Sequence, residues 1–510
     1  MSSTEESTAS QGNFGLTFRK GRWIDGWNPE DEAQWEGIGQ KIAKRNLGFS
    51  IYAEFLGFIV WQLWSVVAVQ LQVKAGVNGA APTPGPFGFA FTSSQVFYLI
   101  AIPPLVGATL RFVYTFMVAK VGGRNWTIIS ASLLLIPTIA LSFAVANHPT
   151  CTAFTDAGAC SASTGGTSYG LMLFVAALAG FGGGNFASSM ANITFFFPQR
   201  EKGWALGLNA AGGNIGASVS QFVVPIIISL TAFTVTGLGS KKVVNLPIAG
   251  WFWIIFILAA IIFAFFKMNN LTSAKADMSA YGAAFKDPQL WLMSLLYIGT
   301  FGSFMGLTGV FPKVINDQFP GYTTPIHIGA AAIALAFLGP LVGSLARPFG
   351  GRLADKVGGA YVTVAAFLVM AIGTFLVWTV LRGSDPNFWV FLICFLIIFT
   401  ATGVGNGSMY RSIPTIFAYR AGQMDAQHKS AGIDTVRKTS AALGIVSAFG
   451  AYGGAIMPWL FNLSANTVTK GQTTGHYLPV LEWLMIGYIV FLLITVFAYV
   501  IPYARKGTRV

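Results

Sequence analysis

About twelve apolar segments, each long enough to cross a ~30 Å hydrocarbon core, decide what this chain can fold into. They run over 47–72, 94–119, 126–146, 169–197, 203–232 and 248–267, then 289–312, 326–352, 360–381, 387–416, 438–463 and 478–503. Backbone polar groups have no water to bond in lipid, so each run must close its own hydrogen bonds as a helix. Only 10% of the 510 residues are charged, against about 25% in soluble domains. The expected fold class is therefore an all-α membrane protein with 12 transmembrane helices, and a large soluble core is excluded. The net charge of +13 would suit a nucleic-acid partner, but the bases stand in short clusters between spans and mark topology, so no nucleic acid is expected. With both termini inside, roughly 22 of the bases fall on the cytoplasmic side. The organisation reads as a cytoplasmic segment 1–46, a six-helix half 47–267, a linker 268–288, a second half 289–503 and a tail 504–510. The polar opening, MSSTEESTASQGNFG, is unlike a cleavable signal peptide.

The two halves repeat one another. Pro104-Leu-Val-Gly-Ala-Thr-Leu-Arg111 in the second span matches Pro340-Leu-Val-Gly-Ser-Leu-Ala-Arg347 in the eighth, and the match runs on to Lys120-Val-Gly-Gly123 and Lys356-Val-Gly-Gly359. Gly184-Asn185 corresponds to Gly405-Asn406, and Ala205-Leu-Gly207 to Ala442-Leu-Gly444. Parallel repeats of this kind predict two pseudo-symmetric six-helix halves about an axis along the membrane normal. The stretch Gly351-Arg-Leu-Ala-Asp355-Lys356-Val-Gly358-Gly359 resembles the conformational loop signature of the major facilitator superfamily. Its counterpart in the first half carries Ala119 where the aspartate would stand.

Arg111 and Arg347 are the sharpest chemical signal. An arginine at mid-span costs at least ~2.5 kcal/mol, so two at equivalent positions need a reason. One is a structural tie to helix carbonyls or a carboxylate. The other is a clamp for a small anion, since the guanidinium fork offers paired donors and does not lose its proton. Asn185 and Asn214, on glycine-rich spans, would add amide donors, because an unpaired amide is costly in hydrocarbon.

The run GGGNFASSMANITFFFP from Gly182, followed by ALGLNAAGGNIG ending at Gly216, resembles the signature of the nitrate/nitrite porter family, the NarK-type transporters. A second copy is recognisable in Gly403-Val-Gly-Asn-Gly-Ser408 and Gly444 to Gly454. The similarity implies a major facilitator fold carrying nitrate, nitrite or both, as a monomeric transport unit in a bacterial inner membrane, with no cofactor and no metal. Carried over motif by motif, it makes Arg111 and Arg347 the anion clamp, Asn214, Asn185, Asn406 and Tyr297 its hydrogen-bonding surroundings, and Phe58, Phe186 and Phe301 its aromatic walls. Those aromatic positions could equally be packing.

Glu54 divides the mechanisms. Exchangers of the family lack an acid in the transport path, whereas YAEFLGFIVWQLW around Glu54 resembles the branch that co-transports protons. Glu54 and Phe58 share a helix face, and burial disfavours the charged form of a carboxyl. The alternatives are a permanent ion pair with Arg411 of the tenth span, acting as a gate strut, or a side chain snorkelling at the lipid interface. Cys151 and Cys160 share one polar outer loop and are expected to form a disulfide, while Cys394 is a packing residue. A phosphate-ester carrier would want further histidine or lysine in the spans, a sensor would carry a signalling domain, and an enzyme would show a nucleophile–base pair or a metal box. The chain offers none of these, and the expected function is secondary active transport of nitrate with protons, or nitrate/nitrite exchange at the same site.

Overall fold

The computed structural model describes residues 14–74, 83–85, 87–154, 160–230, 245–274, 278–328, 331–428, 435–467 and 477–504. The first half contains α1 (Gln40–Gln70), α2 (Ser93–Val121), α3 (Gly123–Ala146), α4 (Tyr169–Phe196), α5 (Gln199–Leu230) and α6 (Ile248–Lys267). The second contains α7 (Pro288–Gln318), α8 (Leu338–Val357), α9 (Gly359–Arg382), α10 (Phe388–His428), α11 (Thr435–Thr467) and α12 (Leu478–Tyr503). Among the described residues 11 helices are long and apolar enough to cross a membrane. The 20-residue α8 completes the set; it carries Arg347, Arg352, Asp355 and Lys356 and is correspondingly less apolar.

The start of α8 corrects the expected eighth span, 326–352. Residues Ile326–Ile328 and Ala331–Ile333 instead pair as an antiparallel hairpin, and helix begins at Leu338 after a short 3-10 turn. The alternating Ile-His-Ile suits a strand, while Pro340 sits in the first helical turn, where its missing N–H leaves no bond unmade.

The repeat is visible in the backbone. Gly122 (φ 90°) ends α2 and Gly358 (φ 100°) ends α8, each donating its N–H four residues back, to Val118 and Ala354. Only glycine takes that conformation without strain. Close approach of helices requires glycine too: a Cβ on Gly183 of α4 would lie 2.8 Å from the Gly107 Cα of α2, and one on Gly403 of α10 would lie 2.1 Å from the Gly343 carbonyl of α8. These two seams set the depth at which Arg111 and Arg347 enter the bundle.

From Phe14 on, the segment before α1 packs against the first half. Strand Thr17–Arg19 pairs antiparallel with Trp23–Asp25, which pairs parallel with Asn270–Leu271 just past α6. Trp27 and Trp35 stand edge-on to Phe196 and Phe197 at the α4–α5 elbow.

Strands Thr150–Phe154 and Cys160–Thr164 form a hairpin between α3 and α4. Cys151 is disulfide-bonded and Cys394 is a free, buried thiol; the side chain of Cys160 lies outside the described residues. Of the 3 cysteines, denatured, unreduced protein should therefore take up maleimide at Cys394 alone, and at all of them only after reduction. Labelling of Cys151 and Cys160 without reductant would contradict the expected pairing.

Candidate functional site

The glycine seams bring Arg111 and Arg347 onto one pair of aromatic rings, at the contact between the halves. Both side chains are buried. The Arg111 guanidinium lies 4.5 Å from the Phe186 ring centroid, 5.2 Å from Phe301 and 5.3 Å from Trp61; that of Arg347 lies 5.7 Å from Phe186, 6.0 Å from Phe301 and 5.4 Å from Tyr410. Phe186 and Phe301 stack on each other at 6.0 Å and 28°. Phe58 closes against Phe186 edge-on at 6.1 Å. A desolvated cation over an aromatic face gains about 2 kcal/mol, so these rings offset part of the burial cost without neutralising the charge.

Each guanidinium is held by part of its fork. Arg111 donates from Nε to the Gly183 carbonyl at 3.0 Å and from Nη1 across the halves to the Ser447 carbonyl of α11 at 2.8 Å. Arg347 donates from Nη2 to the Tyr297 hydroxyl at 3.3 Å. The tie to helix carbonyls considered from sequence thus describes two of the nitrogens of Arg111. The remaining ends differ: Arg111 Nη2 and Arg347 Nη1 are buried with no protein partner. Neither arginine forms an ion pair among the described residues. Leaving a charged donor unmet costs more than the 1–3 kcal/mol of a neutral one.

Local structure fixes the partners. A π-helical turn, Ile298–Gly302, interrupts α7 at the site, and such turns recur where function demands an altered side-chain direction. It leaves Tyr297 and Phe301 stacked at 5.3 Å and 14°. Gly107 leaves room for Trp61, whose Nε1 donates to the Pro103 carbonyl at 2.8 Å. Trp61 and Tyr410 complete the aromatic cage; in the sequence each is one aromatic residue among many in apolar runs, with no signal to single it out. Asn185 and Asn214 are buried with both amide atoms unpartnered, as is Asn406 Oδ1. Asn185 lies against Gly57 of α1: a Cβ on Gly57 would lie 3.0 Å from its Nδ2.

Glu54 is fully buried on α1, and the expected partner is corrected. Its Oε2 accepts from Asn209 Nδ2 at 2.8 Å, the same amide reaches Ser189 Oγ at 2.7 Å, and Oε1 has no partner. Gly213 makes the space, since a Cβ there would strike the carboxylate. Arg411 pairs instead with Asp355 at 2.6 Å, in an exposed bridge between the last turns of α8 and the end of the apolar part of α10, Phe388–Phe417. The i to i+4 reasoning put Glu54 on the inner face correctly, but Arg411 lies beyond reach because α10 carries it out to the surface. Of the loop residues, Asp355 and Lys356 lie in the last turns of α8 and Gly358 caps it. Gly351 has room for a side chain, and the tight neighbour is Gly350, where a Cβ would come within 2.2 Å of the Val404 carbonyl.

Residues 50–458 match the sequence profile of the Major Facilitator Superfamily. The chain belongs to the major facilitator superfamily. Within it, the chain is 37% identical to the nitrate/nitrite transporter NarU of Escherichia coli strain K12, over 93% of this chain and 95% of that one. It is 34% identical to the probable nitrate/nitrite antiporter NarK2 of Thermus thermophilus, over 97% and 99% of the two chains. A crystal structure of a D-xylose–proton symporter shares the fold at TM-score 0.61 and 15% identity, covering 89% of this chain and 97% of that one. Membership makes this chain a multi-pass membrane transporter.

Proposed function

We propose that the protein carries nitrate, and nitrite, across a bacterial inner membrane by alternating access, with nitrate moving together with a proton. The observation that carries the reading is the pair of buried guanidiniums over shared rings, each with one unpartnered nitrogen. Two free fork nitrogens on equivalent helices, over the same rings, match a small planar oxyanion that accepts hydrogen bonds in its plane while aromatic rings cover its faces. The similarity to the nitrate/nitrite transporter NarU and the probable nitrate/nitrite antiporter NarK2 supports nitrate and nitrite over other anions. Asn214, Asn185, Asn406 and Tyr297 serve as nearby polar groups, and Phe58, Phe186 and Phe301 as the walls. The halves 47–267 and 289–503 rock about the site, with both termini in the cytoplasm and the Asp355–Arg411 pair steadying the inner end of the second half.

Glu54 supports the proton. It is buried one helical turn before Phe58, which closes against Phe186 beneath both guanidiniums, so a bound nitrate and an ionised Glu54 would be like charges sharing two cations. Proton and anion then bind cooperatively, as symport requires. A fixed structural role for Glu54, with nitrate/nitrite exchange, is the second reading; the antiporter name of one relative favours it.

Labelled nitrate uptake into proteoliposomes tests the choice. Acidifying the outside of nitrite-free vesicles should drive concentrative uptake. Uptake that needs internal nitrite and ignores the pH gradient would establish exchange.

A further inference from the structure

At the end of the bundle away from Arg411 and Asp355, a cation of the second half is buried in the first. Lys313 of α7 has a fully buried side chain, and Nζ donates to Asp317 Oδ2 one helical turn on at 2.7 Å. The same Nζ donates to Gln72 Oε1, just beyond α1, at 2.8 Å, while Gln72 Nε2 reaches Asp317 Oδ1 at 3.4 Å. The Phe97 ring of α2 lies 4.7 Å from the ammonium. Tyr477, before α12, donates its hydroxyl to Asp317 Oδ2. Lys313, Asp317 and Tyr477 belong to one half, Gln72 and Phe97 to the other. Further polar ties cross at this end: Gln221 of α5 donates to the Thr308 carbonyl of α7 at 2.7 Å, and Ser94 bonds Asn466. At the opposite end Arg411–Asp355 stays within the second half, and Lys438 of α11 pairs with Asp287 of the linker just before α7.

We propose that Lys313, Asp317 and Gln72 are the latch of the outer gate, holding the two halves together on the side from which nitrate enters. The proposal rests on the orientation given under Proposed function. The chemistry suits a reversible latch. Lys313 and Asp317 lie on one helix, so parting the halves removes only Gln72 and Phe97 and leaves the ion pair intact. Water replaces what the pair loses, because a buried pair recovers solvation when exposed. Both states therefore satisfy the cation, and the glutamine and the ring, together with the Gln221 and Ser94 ties, favour closure, which is the balance a two-state element needs.

Accessibility of two reporters tests this in full-length protein in cells. Ile100 of α2 is buried and faces Gly309 of α7 near the latch, while Thr115 of α2 faces Gly444 of α11 toward the other end. Gln72→Ala, which leaves the Lys313–Asp317 pair whole, and Lys313→Met are each combined with Ile100→Cys or Thr115→Cys. With a membrane-impermeant maleimide added outside, the Ile100→Cys reporter should react about fivefold faster in either latch variant, the response of a shifted two-state equilibrium. With a permeant reagent, the Thr115→Cys reporter should react more slowly. Unchanged labelling in Gln72→Ala, or faster labelling of both reporters, would overturn the latch, since the second result is general loosening. Faster Ile100→Cys labelling only by reagent on the cytoplasmic side would uphold the latch and overturn the orientation.

Discussion

Arg347→Lys should reduce nitrate uptake by about a hundredfold, and Arg111→Lys by more, while the protein still inserts. Lysine keeps the charge but is a point donor on a flexible stem, and it cannot hold one partner while offering a second nitrogen to an anion. In Arg347 one nitrogen meets the Tyr297 hydroxyl and another is unpartnered; lysine must abandon one task. Losing a hydrogen bond to a charged group costs about 3 kcal/mol at the upper end, and every 1.4 kcal/mol is tenfold. In Arg111→Lys the loss is larger, because the bridge to the Ser447 carbonyl across the halves also goes. Uptake rates normalised to protein in the membrane give the answer. Near-normal uptake in either variant would remove that arginine from the clamp.

Glu54→Gln should abolish the effect of a pH gradient on net uptake while leaving nitrate binding and nitrate–nitrate exchange in place. Glutamine has the shape of the protonated carboxyl and holds no exchangeable charge. Arg111, Arg347 and an ionised Glu54 together carry one net positive charge; neutralising Glu54 leaves two, which favours the anion. Binding should therefore be as tight as in the parent or tighter, and indifferent to pH, whereas a cycle that must return with an ionised Glu54 is lost. A purely structural Glu54 predicts another pattern: its bond from Asn209 is weakened, and both modes slow together. Proton-driven uptake at the parent rate in Glu54→Gln would end the proton-carrier role.

The spans, the repeat and the two arginines were legible because charge stands out in apolar runs and because duplicated motifs keep their spacing. Arg111 and Arg347 could be paired from Pro104 and Pro340 alone. Which acid meets Arg411 was not legible: helix depth and tilt decide it, and α10 carries Arg411 toward Asp355 rather than Glu54. The segment from Ile326 to Ile333 was misread because a short apolar run with alternation fits strand and helix alike. Lys313 is the residue just after the expected seventh span, 289–312. Its i+4 acid, Asp317, was the available clue, but its burial depends on Gln72 and Phe97 from the other half, which no local pattern announces. Asn209, the donor to Glu54, shares the run ALGLNAAGGNIG with Asn214, and nothing local to that run tells which amide meets the carboxyl.

A single anion site shared by the two guanidiniums is tested by titration calorimetry of the purified transporter with nitrate. One nitrate should bind per chain, displaced competitively by nitrite, with heat lost in Arg111→Lys and in Arg347→Lys. Saturable nitrate binding of parental affinity in both variants would contradict it.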